Sequence, residues 1–304
     1  MRMHQRTVRV NTFPQRQYIS KGLTVAVVAI ALLAAFAAAY PFVFSDGPGP
    51  SQHLSVRGEA VTLYGYGPYR HMPAEIAIQG LAQDLVTLFI GAPALLAALF
   101  WARTGSRAGL LALIGTVGYF FVQYMLYLAM ATYNEFFLVW VALVLLTSQT
   151  LLRLVLALPV TAFALPKNRF LVGGFLLANG VLITSLWLSV IVPPLLDGSL
   201  YPVGLAHLTT MVVQGFDLAL FIPPSLIAGY ACVKGRAPGA LLAPAYSVFL
   251  MLQMTALLAK IVWMTAAGAA VGPALIIIPA LLVGATVTAA LSLRTNFTAS
   301  GATL

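Results

Sequence analysis

The chain has 304 residues, of which 61% are hydrophobic and only 8% charged, and its formal charge is +9. Soluble domains carry roughly a quarter charged residues, so this composition excludes a fold solvated by water alone. The basic residues are spread over short connections instead of forming one patch with interleaved aromatics, which excludes a nucleic-acid partner; the single cysteine, Cys232, excludes an intrachain disulfide and a cysteine metal cluster.

Apolar runs of about 20 residues recur along the sequence, the length that crosses a ~30 Å hydrocarbon core at 1.5 Å per residue. They predict an all-α, polytopic transmembrane helix bundle of about eight helices with the lipid bilayer as its partner. Continuous runs, as opposed to ten-residue alternations, argue against a barrel. Residues 1–21 form a basic tail with Arg2, Arg6, Arg9, Arg16 and Lys21, and the first span is expected over 22–44. Its basic start and the small run Ala37, Ala38, Ala39 also fit a secretory signal, but the apolar run is long for one and retention is expected. The loop over 45–74 is rich in Gly and Pro, then offers Val61, Leu63, Tyr64, Tyr66 and Tyr69 for a short strand or hairpin, with the tyrosines expected in the interfacial aromatic belt. Further spans are expected over 75–101, 108–130, 135–157, 170–195, 207–231, 238–266 and 272–293, followed by a tail over 294–304.

The connections set an orientation. Arg103 and Arg107, then Arg153, Lys167 and Arg169, then Lys234 and Arg236, and finally Arg294 fall on the side of the basic tail, whereas the opposite side holds Arg57 and Arg70 among Asp46, Glu59, Glu75, Glu135 and Asp197. The bias of Lys and Arg towards cytoplasmic loops places both termini in the cytoplasm of a bacterial-type plasma membrane.

Two halves share an order of features. PFVFSDG closes the first span and PPLLDG the fifth; DLVTLFIGAPALLA from Asp84 answers DLALFIPPSLIAG from Asp217; SRAGLLA from Ser106 answers GRAPGALLA from Gly235; Gln123 and Gln253 follow. Four spans per half give both halves one orientation, so residues 22–157 and 170–293 are expected to be parallel four-helix repeats.

Asp84, Asp217 and Lys260 lie within spans, where a charge costs at least ~2.5 kcal/mol and therefore faces protein or water. Their depths suggest a meeting, with Lys260 to Asp217 the first pairing and Lys260 to Asp84 the alternative. Polar residues extend these faces at helical spacing: Thr210 and Gln214 with Asp217, Gln253 with Lys260, Tyr119, Gln123 and Tyr127 together, and Glu75, Gln79, Gln83 and Thr87 together. Gly91 with Pro93, and Pro223 with Pro224, interrupt the second and sixth spans just beyond the aspartates, and paired interruptions point to a transporter binding site.

Several chemistries find no support. The histidines are His4, His53, His71 and His207, none paired for haem within a span, and no HExxH, GxSxG, P-loop or GxGxxG occurs, so no catalytic residue, cofactor or metal is expected. Arg70, His71 and Glu75 at one helix mouth are where an enzyme would be sought, His207 reads as an interfacial cap, and Cys232 as packing. The sequon at Asn296 sits on the side of the tail and is discounted.

The stretches GPYRHMPAEIAIQGLAQDLVTL and DLALFIPPSLIAG, with KGRAPGALLAP, resemble segments of a group of uncharacterised bacterial polytopic membrane proteins over the second to fourth and sixth to seventh spans. The resemblance implies no activity. The residues themselves favour a carrier or channel-like protein for a small polar solute or proton, with a site between the halves; a non-transporting sensor or assembly subunit is the alternative, and the oligomeric state is not specified.

Overall fold

Apolar sequence becomes helix here because helices satisfy every backbone hydrogen bond internally, a requirement in lipid. In a computed structural model describing residues 18–202, 205, 207–269 and 271–298, eight helices are long and apolar enough to cross a membrane, and the chain is a multi-pass helical bundle. They are α1 (Lys21–Val43), α2 (Ala74–Arg103), α3 (Arg107–Met130), α4 (Phe137–Ala157), α5 (Arg169–Asp197), α6 (Val212–Val233), α7 (Ala237–Ala266) and α8 (Ala274–Thr298). Arg2, His4, Arg6, Arg9 and Arg16 lie outside the described residues.

The start signals are local. Ser20 caps α1 by accepting from the Leu23 N–H at 3.1 Å, and Ser106 caps α3 by accepting from the Gly109 N–H at 3.1 Å. The expected hairpin forms from β1 (Ser51–Leu54) and β2 (Ala60–Leu63), antiparallel with Ser51 opposite Leu63. It lies at one face of the bundle, the hairpin face. The other face gathers the start of α1 and the ends of α2, α4, α6 and α8: Trp101 meets Phe297 at 6.2 Å between centroids, and Asn296 bonds both backbone groups of Ala164 at 3.0 and 3.1 Å. Asn296 is fully buried in this role, joining α8 to the α4–α5 connection.

Each half closes a ring of four helices with the same neighbours. α1 touches α2 and α4, and α3 touches α2 and α4; likewise α5 touches α6 and α8, and α7 touches α6 and α8. The third helix of each half carries the contact between halves, α3 against α7, flanked by α2 against α7 and α6 against α3. Gly115 makes the α3–α7 crossing close: a Cβ there would stand 2.4 Å from the Ala245 carbonyl oxygen.

Both second helices break alike. The Ala92 N–H bonds the Thr87 carbonyl and the Ile222 N–H bonds the Asp217 carbonyl, five residues back in each case, so Thr87–Gly91 and Asp217–Phe221 are single π-helical turns. Pro93 and Pro223 follow at the same place; the ring removes a donor and crowds the preceding turn, which the wider turn relieves. Adding 130 to a residue number carries one half onto the other from this turn onward: Pro93 to Pro223, Gly105 to Gly235, Gly109 to Gly239 and Gln123 to Gln253. Gly109 abuts Ala102 and Trp101 just as Gly239 abuts Cys232 and Ala231, at 2.5–2.7 Å from an added Cβ.

This register differs from the sequence match of the two aspartates. Asp217 stands where the first half has Thr87, Asp84 where the second has Gln214, and Lys260 where the first has Met130. The match that starts at the two aspartates shifts the halves by three residues, close to one helical turn, from the frame in which the π turns and the first prolines coincide.

Candidate functional site

Asp84 is 4% exposed on α2 and both of its oxygens are engaged. Oδ2 accepts from the Tyr69 hydroxyl at 2.6 Å and Oδ1 from the Tyr127 hydroxyl at 2.8 Å. Tyr127 reaches it because α3 lies beside α2; its hydroxyl is also 3.0 Å from the Gly80 carbonyl. Tyr69 arrives from the loop after the hairpin, in a short 3₁₀ turn over Gly67–Tyr69.

That loop is pinned to the α3–α4 connection. The buried Asn134 amide donates to the Pro68 carbonyl and its Oδ1 accepts from the Phe136 N–H at 2.8 Å. Arg70 pairs with Glu135 at 2.9 Å, and Thr132 donates to the His71 carbonyl at 3.3 Å. Tyr69 is thus not an interfacial anchor but a buried stopper on Asp84, 3% exposed. Burial first and the Asp84 carboxylate second push its hydroxyl well above the ordinary tyrosine pKa, so it stays a donor. Behind it the rings of Tyr127, Tyr124 and Trp140 fill the first ring of helices, with centroids 5.7–5.9 Å apart.

A polar layer continues inward. Gln83, 1% exposed, donates its amide to the Tyr119 hydroxyl, leaving Oε1 with no partner. Gln123, between Tyr119 and Tyr127 on the same stripe of α3, and Gln253 on α7 likewise hold Oε1 sealed and unpaired. Such amides call for water or a ligand group.

Asp217 and Lys260 form the other end of the site. Asp217 is half-buried and its Oδ2 accepts from the Trp187 indole N–H of α5 at 2.7 Å. Lys260, half-buried on α7, lies within electrostatic range of both Asp84 and Asp217, yet makes no ion pair with either. Neither pairing expected from the sequence is therefore closed as an ion pair. Gln214 is half-buried one turn before Asp217, while Thr210 is exposed outside the helix. Gly91 closes the first π turn against Tyr119 and Phe120, and Pro93 follows it. Pro223 and Pro224 follow the second, whose last carbonyl, that of Phe221, accepts from Tyr246 of α7 at 2.8 Å.

The remaining candidates disperse. Glu75 is exposed at the start of α2, and Arg70 is taken by Glu135. His207, read from the sequence as an interfacial cap, rests on His53 of the hairpin, with centroids 4.5 Å apart. Cys232 is buried and points its thiol at the Arg169 carbonyl, 3.6 Å away. Among the described residues no three His, Cys, Asp or Glu side chains gather as metal ligands. Tyr69, Asn134 and Trp187 escaped sequence reasoning; Trp187 bore a weak signal, an indole N–H inside an apolar span that has to find an acceptor. No family model matches the chain, and no curated protein or solved structure matches it either.

Proposed function

We propose that the chain is a carrier or channel-like protein of a bacterial-type plasma membrane, both termini cytoplasmic, passing a small polar solute or proton through a site between two duplicated halves. The observation that carries this is Lys260: an amine inside an apolar helix, within electrostatic range of a carboxylate from each half and ion-paired to neither. A structural fastener would close such a pair. The common ring pattern and the paired π turns support duplication, and discontinuous helices in corresponding positions mark transporter sites. The resemblance to the bacterial polytopic group adds kinship but no activity.

The second reading, a non-transporting sensor or assembly subunit, draws support from the two hydroxyls that seal Asp84. Proteoliposomes decide between them. With a pH dye inside and an imposed potassium diffusion potential, and with a panel of labelled solutes, the wild type should move protons or a solute. Asp84→Asn and Asp217→Asn should each cut that flux at least about tenfold, a difference of ~1.4 kcal/mol in barrier. Unchanged flux in both variants rejects the carrier.

A further inference from the structure

The two rings are packed differently at the hairpin face. In the first, Ile30, Ala34, Tyr69, Tyr127 and Trp140 are all buried. In the second, the buried residues of α5 end at Gly180, those of α6 begin at Phe221, and those of α8 begin at Leu281. Where α3 has Tyr119, Tyr124 and Tyr127, α7 at 130 residues further has Phe249, Met254 and Leu257, none of which carries a hydroxyl.

α6 also starts late. Residues 77–81 are helical in α2, but their counterparts 207–211 are turn and bend, and the helix begins at Val212. Val212–Val233 is long enough to cross a membrane by itself, so residues 207–211 sit at its mouth on the hairpin face, where His207 meets His53. The open end of the second ring holds Asp217, Lys260, Trp187 and Gln214, all half-buried. Oδ1 of Asp217 and Nζ of Lys260 carry no hydrogen bond to the described residues, and neither belongs to the sealed, unpaired atoms.

We propose that this open end is a binding chamber for a small zwitterion, its ammonium on Asp217 and its carboxylate or phosphate on Lys260. The proposal rests on the carrier reading and names the solute class. A lone cation at Asp217 would be repelled by Lys260, and a lone anion at Lys260 by Asp217 and Asp84. A zwitterion meets both charges and carries none of its own into a medium of low dielectric, where uncompensated charge is costly. The Trp187 ring and the apolar walls of α5 and α8 accept its carbon skeleton. A phospholipid headgroup bearing an amine has the same pair of charges.

Binding to the purified full chain in phosphatidylglycerol nanodiscs tests this through tryptophan fluorescence. Neutral amino acids and glycine betaine are titrated beside the methyl esters and N-acetyl forms of the same amino acids. At least one zwitterion should saturate, about tenfold or more tighter than its ester or its N-acetyl form. Trp187→Phe should lose the signal and Trp101→Phe keep it. Asp217→Asn and Lys260→Met should each weaken binding about tenfold or more, with elution profiles that report folded protein. If phosphatidylethanolamine in the disc perturbs Trp187 and blocks the amino acid, the zwitterion is a lipid headgroup and the class stands. Esters or N-acetyl forms binding as well as zwitterions, or no zwitterion binding at all, overturn the proposal. Flux without zwitterion binding removes the chamber and leaves the carrier; zwitterion binding without flux does the reverse.

Discussion

A buried carboxylate is a liability unless donors replace its lost water, and Asp84 has two, from elements that approach it independently. Removing one leaves a buried carboxylate oxygen without its protein donor. Tyr69→Phe and Tyr127→Phe should each destabilise the protein by about 1–3 kcal/mol, the cost of an orphaned buried acceptor, measured by reversible unfolding in mixed micelles. Asp84→Asn made in the Tyr127→Phe background should cost less than the sum of the two changes by about 0.5–3 kcal/mol, because the pair acts as a unit. The acid was legible in the sequence since charge inside an apolar run has to be explained. Its partner Tyr69 was not: fifteen residues upstream, in a loop whose tyrosines all suit the interface, it is singled out only by how Asn134 and Glu135 hold that loop down.

Helix crossings depend on where a side chain is missing. Gly115 lets α3 and α7 touch, with Ala245 O at 2.4 Å and Val248 Cβ at 2.7 Å from an added Cβ, whereas a Cβ at Gly118 meets nothing within 4 Å. Gly115→Ala should therefore weaken the junction of the halves and lower the unfolding midpoint, while Gly118→Ala, relieved of glycine's backbone entropy, should be neutral or gain about 0.5–1 kcal/mol. The hairpin offers a test in pH. Burial, then His53, then Arg57 hold His207 below the ordinary histidine value of 6.5, so its neutral form is favoured by docking; the contact is full above that value and is lost as pH falls below it. Spin labels at Gln52 and Leu208 should show a narrow distance distribution at about pH 7.5 that broadens by about pH 5, and His53→Gln with His207→Gln should remove the change. Span positions were legible because apolar length is set by the bilayer: α1, α3 and α7 start within one residue of expectation. The late start of α6 was not, since Leu205 to Met211 is apolar enough to read as helix. The match of DLVTLFIGAPALLA with DLALFIPPSLIAG aligns the two aspartates, whereas the π turns and first prolines coincide three residues away from that frame.

At the scale of the molecule, two rings with the same neighbours are packed differently, one filled with aromatic rings and one left open beside a lysine. The carrier proposed above requires both halves to have the same orientation. That requirement is testable. With helices succeeding one another across the membrane, Arg107 and Lys167 both lie at the face opposite the hairpin, and Gln52 lies at the hairpin. In a Cys232→Ala background, which removes the sole thiol, cysteines at 107 and 167 should react with a membrane-impermeant maleimide only after cells are opened. A cysteine at 52 should react in intact cells. Residues 107 and 167 labelling from opposite sides would mean that α3 and α4 do not make one return crossing. The halves would then be inverted or miscounted, and Asp84, Asp217 and Lys260 would lose the common depth on which any shared chemistry depends.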